Sequence, residues 1–384
     1  MSDCSSRIGC ILSVLAALAC ASCGDLGKDA AMPEVWRFAI EEAEGSVQHE
    51  YALEFKRRIE KASGGRIDVV IYPYGALGTS AQTTEQLNMG VLEFAMASPG
   101  TLGKYIPELQ VFLLPFVFSE NDRVNKQILS DPKLVGFCDS LYAKRGLKLL
   151  SLFPEGEMVW TTNREIRSPE DFRGVKMRVM TSPILLAAYE AFGASATPMP
   201  YSEVYSALQL NMIDGQVNPV FAIERQKFYE VTDWMIFPKH AHFITTAAAN
   251  RRFFDRLSPE RKQMVLQTMA DLEDYIFEVQ VRFQTDRLKT ILREKQRKRA
   301  VLNLCGDFRR FRGTLSAEQQ ADLLDDNPYV NITPPLTDEE RDTFRKRSLA
   351  VLEVFLEIGG PRGREMLDRI LNAVARAEQG QGGT

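Results

Sequence analysis

The sequence predicts an α/β protein with two lobes, and three features lead to this prediction. Short apolar segments alternate with segments of helical period, a pattern typical of a mainly parallel sheet covered by helices. The chain has 384 residues, enough for two lobes of ordinary domain size. One helical period continues from Ser258 to about Lys298, and a helix of that length, on the order of 60 Å, can pass from one lobe to the other.

The first part of the chain shows the alternation most clearly. Val35 to Ile40 and Ile67 to Tyr72 have the composition of strands, and Val47 to Ala62 between them has a helical period. A short helix from Thr83 to Met89 and a buried strand from Leu92 to Ala97 follow. This order predicts parallel strands joined by helices.

The middle of the chain repeats the pattern. Ser168 and Pro169 suit the cap and first position of a short helix, and Val175 to Met180 follows as a strand. Ser202 to Leu210 predicts a helix. Asp214 precedes a glycine before the next strand, so we interpret it as a turn residue and not as a catalytic carboxylate.

The long helix and the segments after it complete the prediction. A coiled-coil dimer is an alternative for the long helix, but its apolar spacing drifts from a strict heptad. Amphipathic helices are predicted from Glu339 to Ile358 and from Glu365 to Ala377.

The N-terminus has the composition of a targeting segment. Arg7 precedes an uncharged stretch from Ile11 to Ser22 that is too short to span a bilayer as a mature helix. Cys20 and Cys23 each follow a small residue, so either is a candidate for lipidation, and a plain secretory peptide is the alternative. One acylated cysteine would hold the protein at a membrane surface.

Composition narrows the class of function. The net charge of −4 gives no electrostatic signature of nucleic-acid binding. We find no nucleophile elbow, no zinc-protease motif and no phosphate-binding or dinucleotide-binding glycine loop. His240 and His242 lack accompanying ligands, so no metal or cofactor is predicted. Cys138 and Cys305 are expected to be two buried thiols, with a disulfide as the alternative.

Residues 163–229 carry the most specific pattern. It comprises Asn163-Arg164-Glu165-Ile166, Ser168-Pro169-Glu170-Asp171-Phe172-Arg173-Gly174-Val175-Lys176-Met177-Arg178-Val179, Gly193-Ala194, Pro198-Met199-Pro200-Tyr201-Ser202-Glu203-Val204-Tyr205, Ala207-Leu208-Gln209, Asp214-Gly215-Gln216-Val217-Asn218-Pro219 and Lys227-Phe228-Tyr229. This run resembles the signature of the substrate-binding P subunits of TRAP transporters, the DctP family. The resemblance covers roughly residues 34–298 and resumes near residue 331.

The resemblance implies a two-lobed fold like that of periplasmic binding proteins, and a protein that is not an enzyme. It would capture a small organic acid outside the cytoplasm and deliver it to a membrane permease. The predicted division is a signal at 1–23, a tether at 24–33, a first lobe of 34–155 and 244–283, and a second lobe of 156–243 and 284–384 with an insert at 299–330.

The resemblance also implies the ligand contacts. In the family an arginine after the Gly-x-Lys motif holds the ligand carboxylate through two parallel hydrogen bonds, and Arg178 matches it. Asn218 matches an asparagine that orients the carboxylate, and Tyr201 matches an aromatic residue that packs on the ligand.

Three positions depart from the sialic-acid-binding members. Met158 stands where those members have a second arginine, and Val217 and Ser98 stand where they have acids. Together with Trp160 and Phe221, these residues predict an apolar cleft and a hydrophobic monocarboxylate as ligand, because a sugar acid would bury unpaired hydroxyls.

The insert suggests a further partner. Its absence from the family pattern suggests the branch that works with a tetratricopeptide-repeat lipoprotein. Phe308, Arg309, Arg310 and Phe311 are the predicted contacts. A plain elaboration that covers the end of the long helix is the alternative. Two other classes stay open for the whole chain: an enzyme on a binding-protein fold, which a carboxylate pair in the cleft would favour, and a sensor or structural protein without transport.

Overall fold

The computed structural model describes residues 32–298, 304–305 and 336–381. The strands in these residues are β1 (Glu34–Ala39), β2 (Ile67–Tyr72), β3 (Phe94–Met96), β4 (Leu147–Glu157), β5 (Val159–Thr162), β6 (Lys176–Val179), β7 (Ser195–Pro198), β8 (Gly215–Asn218), β9 (Trp234–Ile236), β10 (His242–Asn250) and β11 (Leu304–Cys305).

The helices in the same residues fall into two types. The α-helices are α1 (Val47–Ala62), α2 (Ser80–Met89), α3 (Pro99–Leu102), α4 (Asp122–Leu129), α5 (Pro132–Ala143), α6 (Pro183–Ala191), α7 (Val204–Gln209), α8 (Val220–Arg225), α9 (Arg251–Arg256), α10 (Pro259–Lys298) and α11 (Asp338–Gln381). Short 3-10 helices occupy Pro107–Leu113, Pro169–Phe172, Tyr201–Glu203 and Phe228–Glu230.

The strands form two sheets, one in each lobe. The first sheet has the order β2-β1-β3-β10-β4, and the second has the order β11-β9-β5-β8-β6-β7. Strand β1 is parallel to β2 and β3, and β6 is parallel to β7 and β8. The two-lobed α/β architecture predicted from the sequence is therefore confirmed.

Two connections between β-strands and one long helix join the lobes. Strand β4 leads through Met158 into β5 of the other sheet, and β9 leads back into β10. At this crossing the Met158 amide donates to the Ala241 carbonyl at 2.9 Å. Gly156 has a φ of +135°, and a side chain there would collide with the Gln284 amide. Glycine is therefore required where β4 leaves the first lobe.

The long helix α10 packs against both lobes. Its first apolar residues, from Val265 to Phe283, lie in the core formed by Trp36, Phe38 and Phe94. Leu288 and its neighbours lie in a separate core of the second lobe. The predicted helix that passes between the lobes is confirmed.

Local capping explains several boundaries. Helix α2 begins at Ser80, three residues before the predicted start, because Thr79 and Gln82 form a reciprocal capping box. The predicted helix after Ser168 is a 3-10 turn closed by Asp171. The predicted helix at Ser202 begins as a 3-10 turn and becomes helix α7 at Val204.

The C-terminal helix α11 breaks at Gly360, which has a φ of 59° and precedes Pro361. The break separates the two predicted amphipathic helices. Before the break Phe344 packs on Trp160, and after it the Arg362 guanidinium lies over Phe137 of helix α5. This last part thus contacts the first lobe as well, and the predicted lobe boundaries stay a prediction. No helix in the described ranges is long and apolar enough to cross a membrane.

Candidate functional site

Arg178 lies on β6, between β7 and β8, and only 3% of it is exposed. Its Nε and Nη2 atoms donate to the Met199 carbonyl at 3.1 and 2.8 Å. Within the described ranges no carboxylate lies within ion-pair distance of this guanidinium. Burial lowers the pKa of Arg178 to about 10. The side chain therefore keeps N–H donors for a carboxylate that comes from outside.

Two buried carboxyl groups of the first lobe follow the end of β1, and Glu42 lies close enough to Arg178 for their charges to interact. Glu41 is buried and accepts the Ser98 amide at 2.6 Å and the Thr101 hydroxyl at 2.7 Å. Glu42 is buried and accepts the Tyr201 hydroxyl at 3.2 Å. Burial raises the pKa of the Glu42 carboxyl to about 8, and the charge of Glu41 adds to that rise.

A third carboxylate lies on β4. Glu155 is fully buried, and the Gln48 amide donates to its Oε1 atom at 2.8 Å. Its Oε2 atom has no hydrogen-bond partner in the described structure. Burial raises the pKa of Glu155 well above its usual range, and the charge of Glu42 raises it further. The first lobe therefore presents a group of buried acids at the cleft.

Aromatic side chains close the space between the lobes. Tyr74 of the first lobe meets Tyr201 of the second edge to face, with 5.5 Å between ring centroids. The Ser202 amide donates to the Tyr74 hydroxyl at 3.3 Å. The Arg178 guanidinium lies 6.0 Å from the Tyr201 centroid. Tyr201 thus contacts groups of both lobes.

The other predicted ligand residues lie around this centre. Asn218 ends β8 and donates to the Gln216 side chain, which in turn donates to Thr161 at 2.8 Å. Val217 pairs with Trp160 across β5 and β8. The remaining ones are Met158 at the strand crossing, Ser98 beside Glu41, and Phe221 on α8; all of them are buried.

Trp160 has a structural environment of its own. It is fully buried, and its indole N–H donates to the Tyr189 hydroxyl at 2.8 Å. Phe172 and Phe344 pack on its ring. Because the indole N–H is already used, Trp160 can support the cleft wall by packing but has no free donor for a ligand.

His240, His242 and Cys138 take ordinary structural roles. His240 is buried and shares a hydrogen bond with Tyr189 at 3.1 Å, and burial lowers its pKa to about 3. His242 contacts the Ser119 carbonyl at 3.1 Å. Cys138 is a buried free thiol. Among the described residues, no group of three potential ligands could hold a metal ion.

Several predicted sites fall outside the described residues. These are Cys20, Cys23, Phe308, Arg309, Arg310 and Phe311. Sequence reasoning also missed Glu41, Glu42, Glu155 and Tyr74. A usable signal existed for Glu41 and Glu42, because they directly follow an apolar strand, and ligands of open α/β sheets bind outside the carboxyl ends of the strands.

This geometry defines a class of protein. A cleft between two α/β lobes, with a buried arginine on one side and buried acids on the other, is the arrangement expected of a two-lobed solute-binding protein. The family model for bacterial extracellular solute-binding proteins, family 7 (DctP), matches residues 38–300. The chain belongs to this family: it is a solute-binding protein of the TRAP-transporter type, whose members work with membrane permease subunits.

Similar proteins of known name cover most of the chain. The ectoine/5-hydroxyectoine-binding periplasmic protein UehA of Ruegeria pomeroyi is 35% identical over 342 residues, which is 89% of this chain and 91% of UehA. The ectoine-binding periplasmic protein TeaA of Halomonas elongata is 36% identical over 355 residues, 91% of this chain and 94% of TeaA.

A solved structure agrees with the fold. The high-resolution structure of the periplasmic ectoine-binding protein from the TeaABC TRAP transporter of Halomonas elongata superposes with a TM-score of 0.77 at 34% identity, covering 89% of this chain and all of that one.

Proposed function

We propose that the cleft binds a small organic carboxylate that also carries a positive charge, such as the cyclic amidinium acid ectoine. One observation carries the proposal: the two lobes bring a buried arginine and buried carboxyl groups to one cleft. Arg178 of the second lobe would hold the ligand carboxylate, and Glu42 of the first lobe would hold the cationic N–H groups.

The state of Arg178 supports the carboxylate end of the ligand. A buried charge without a partner is unfavourable, and an arginine fork pairs with a carboxylate through two parallel hydrogen bonds. The Met199 carbonyl already orients the guanidinium through Nε and Nη2. A ligand carboxylate at the remaining N–H groups would therefore meet a positioned partner.

The state of Glu42 supports the cationic end. A carboxyl with its pKa raised to about 8 by burial is mostly protonated, and therefore neutral, at pH 7. A cationic group beside it would favour its ionised form. A simple hydrophobic monocarboxylate offers no such group, and it would bring a negative charge near Glu41 and Glu42 without a cation to offset it. We therefore modify the ligand predicted from the sequence: the body is compact and apolar, but it carries a cation.

The relatives support the same ligand class. Both of those named above bind ectoine according to their names. The apolar side chains of Met158, Val217 and Phe221 suit the small ring of such a molecule better than the hydroxyls of a sugar acid.

An enzyme is the alternative that the acidic pair would favour. Both oxygens of Glu41, however, accept hydrogen bonds from Ser98 and Thr101. Glu41 is therefore engaged in fixing the start of helix α3 and is poorly placed for proton transfer. The relatives are solute-binding proteins, and binding without chemistry is the function that we propose.

A ligand panel tests the proposal. We expect a thermal shift with ectoine and a much smaller one with cyclohexanecarboxylate, succinate or sialic acid. Arg173→Ala, an exposed arginine of the same motif, should respond to ectoine like the wild type. A response to cyclohexanecarboxylate alone would contradict the proposal and favour the hydrophobic monocarboxylate.

We further propose that the exported protein is lipid-anchored through Cys20 or Cys23. Small residues before a cysteine are the motive for this proposal. Detergent phase partition of wild type, Cys20→Ser and Cys23→Ser proteins tests it. One of the two substitutions should move the protein to the aqueous phase, and an aqueous wild type would contradict anchoring.

We also propose that residues 299–330 dock a tetratricopeptide-repeat lipoprotein through Phe308, Arg309, Arg310 and Phe311. Arginine and aromatic residues are favoured at interface cores. Deletion of residues 300–328 should abolish co-purification with such a partner while ectoine binding persists. Undiminished co-purification with the folded deletion variant would reject the docking role.

A further inference from the structure

The first lobe has a face opposite the cleft that differs in charge from the rest of the chain. Strands β1, β2, β3 and β4 begin at this face, and the antiparallel strand β10 ends there. We name it the basal face. We propose that the basal face contacts a membrane surface and binds the headgroups of anionic phospholipids.

Positive charge is concentrated on the basal face. Eight arginines and lysines line its two adjoining grooves, against five carboxylates, whereas the whole chain has a net charge of −4. The cations are Arg57, Arg58, Lys61, Arg66, Arg251, Arg252, Arg256 and Arg261; the carboxylates are Glu34, Glu93, Asp255, Glu260 and Asp271. Such a reversal of sign favours an anionic partner.

Four of these cations are available to a partner. Lys61, Arg66, Arg252 and Arg256 are exposed, and their side chains make no hydrogen bond or ion pair with any described residue. Arg261, by contrast, pairs with Glu34. The four free side chains can therefore reach phosphate groups without breaking an internal contact.

Apolar side chains accompany the free charges. Met32 is 92% exposed and Met89 is 75% exposed, and Val91 follows in the same turn at 48%. Cations around exposed apolar side chains are the pattern of a surface that rests on the headgroup layer, because the apolar groups insert slightly while the cations meet phosphate.

The direction of the chain favours a bilayer over an acidic protein as the occupant. Residues 1–31 precede Met32, which comes directly before β1, so the described chain begins at the basal face. The nine residue steps from Cys23 to Met32 can span at most about 30 Å. The inference rests on the anchoring proposed above: an acyl chain at Cys20 or Cys23 would keep this face near the bilayer.

Vesicle co-sedimentation tests the inference without any acyl chain. The parent protein is the full chain with Cys20→Ser and Cys23→Ser. The test variant adds Lys61→Gln, Arg66→Gln, Arg252→Gln and Arg256→Gln. The control variant instead adds Arg164→Gln, Arg173→Gln, Lys176→Gln and Lys346→Gln, which are also exposed cations without a described side-chain partner. Residues 1–31 are the same in all three proteins, so their own affinity for lipid cancels.

We expect the parent to bind vesicles of phosphatidylcholine mixed with phosphatidylglycerol more tightly than vesicles of phosphatidylcholine alone. The test variant should lose up to about fivefold in partition per cation removed at low salt, and the control variant should lose much less. Ectoine titration of the test variant should be unchanged, which checks the fold and separates this inference from the ligand proposal.

Three results would overturn the inference. Equal binding to both vesicle types would show that the protein does not recognise anionic headgroups. Equal losses in the test and control variants would show that only total charge matters. Unchanged vesicle binding, together with lost capture by detergent-solubilised permease, would make the basal face a protein docking surface instead.

Discussion

The two lobes share one strand plan. The first sheet runs β2-β1-β3-β10-β4, and five strands of the second run β7-β6-β8-β5-β9 in the equivalent order. In each order, the strand in second place (β1 or β6) is parallel to both of its neighbours. The strand in fourth place (β10 or β5) is antiparallel to both of its neighbours. The same backbone frame therefore surrounds the cleft from both sides.

The turns that lead into β3 and β8 repeat in detail. Gly90 and Asn211 both take positive φ, at 80° and 55°, the conformation in which helices commonly end. Glu93 then accepts the Arg37 amide at 2.7 Å, and Asp214 accepts the Lys176 amide at 2.8 Å. These acids hold neighbouring strands together, which explains why Asp214 is structural.

The lobes differ in charge where their strands reach the cleft. In the first lobe β1 leads into Glu41 and Glu42, whereas in the second the equivalent strand β6 carries Arg178. The frame is set by backbone pairing and apolar packing, and it tolerates either sign of charge at the strand ends. Specificity for a ligand with both charges can therefore arise from a few residues on a repeated frame.

Removal of the second lobe's charge should have the largest effect. Arg178→Ala leaves the ligand carboxylate without its fork, so affinity should fall by about 2–5 kcal/mol. Calorimetry with ectoine measures the loss, and circular dichroism checks the fold. Unchanged affinity would mean that Arg178 of the second lobe does not bind the ligand carboxylate.

Removal of the first lobe's charge should have the next largest effect. Glu42→Gln replaces an ionisable acceptor with a neutral one, and ectoine should bind about 1.5–3 kcal/mol more weakly. Glu44→Gln, an exposed neighbour, is the matched control and should bind normally. If Glu42→Gln and Glu44→Gln bind ectoine with the same affinity, Glu42 does not bind the cationic group of the ligand.

Proton linkage sharpens the same comparison. The pKa of Glu42 is raised to about 8 without ligand, and a bound cation should lower it, so binding below pH 8 should release a proton. Affinity should then rise with pH by up to about tenfold per unit and level off near pH 8. Calorimetry in buffers of different ionisation enthalpy measures the released proton. A pH-independent affinity between pH 6 and 8 would contradict the role of Glu42.

The raised pKa of Glu42 also predicts that the stability of the ligand-free protein falls as pH rises, whereas the ligand affinity rises with pH. The folded protein holds the Glu42 proton more tightly than the unfolded chain, in which the carboxyl has its ordinary pKa of 4.5. This contribution to stability is full below that value and is lost as pH rises to about 8. Glu42→Gln should flatten the dependence of thermal stability on pH over that range; an unaltered dependence would assign it to Glu41 and Glu155.

The contact between the lobes at the cleft mouth should give the smallest effect. Tyr74→Phe removes the hydroxyl that accepts the Ser202 amide at 3.3 Å. The form with the lobes closed should become less stable by about 0.5–1.5 kcal/mol, and ligand binding should become weaker by a similar amount. Tyr72→Phe, two residues earlier on β2, serves as the control. A Tyr74→Phe protein with wild-type dissociation rates would show that this contact does not hold the lobes closed.

The fold was predictable because its signals are local or repeated. The periodic spacing of apolar residues predicted β1, α1 and the whole of α10, and the spacing of the motif predicted the second lobe. The start of α2 was missed because the Thr79–Gln82 capping box lies outside the apolar period. The turn at Asp214 was predicted, but the amide partners of Glu93 and Asp214 before β3 and β8 were not, because these amides lie far away in sequence.

The site was predictable only on one side. Arg178, Asn218 and Tyr201 lie within a motif that could be matched by spacing. Glu155 accepts from Gln48, 107 residues away, so its burial at the cleft depends on the tertiary fold. The site that we propose for a zwitterion therefore was predicted from the sequence to bind a hydrophobic acid.

One thermodynamic cycle tests the central claim most directly: the affinities of wild type and Glu42→Gln for ectoine and for cyclohexanecarboxylate, a ring acid without a cation. We predict that the wild type prefers ectoine by at least about a hundredfold and that Glu42→Gln removes most of this preference, since charge-assisted hydrogen bonds contribute about 1.5–3 kcal/mol. Tighter binding of cyclohexanecarboxylate, with the same preference in both proteins, would contradict the claim that the first lobe reads a positive charge.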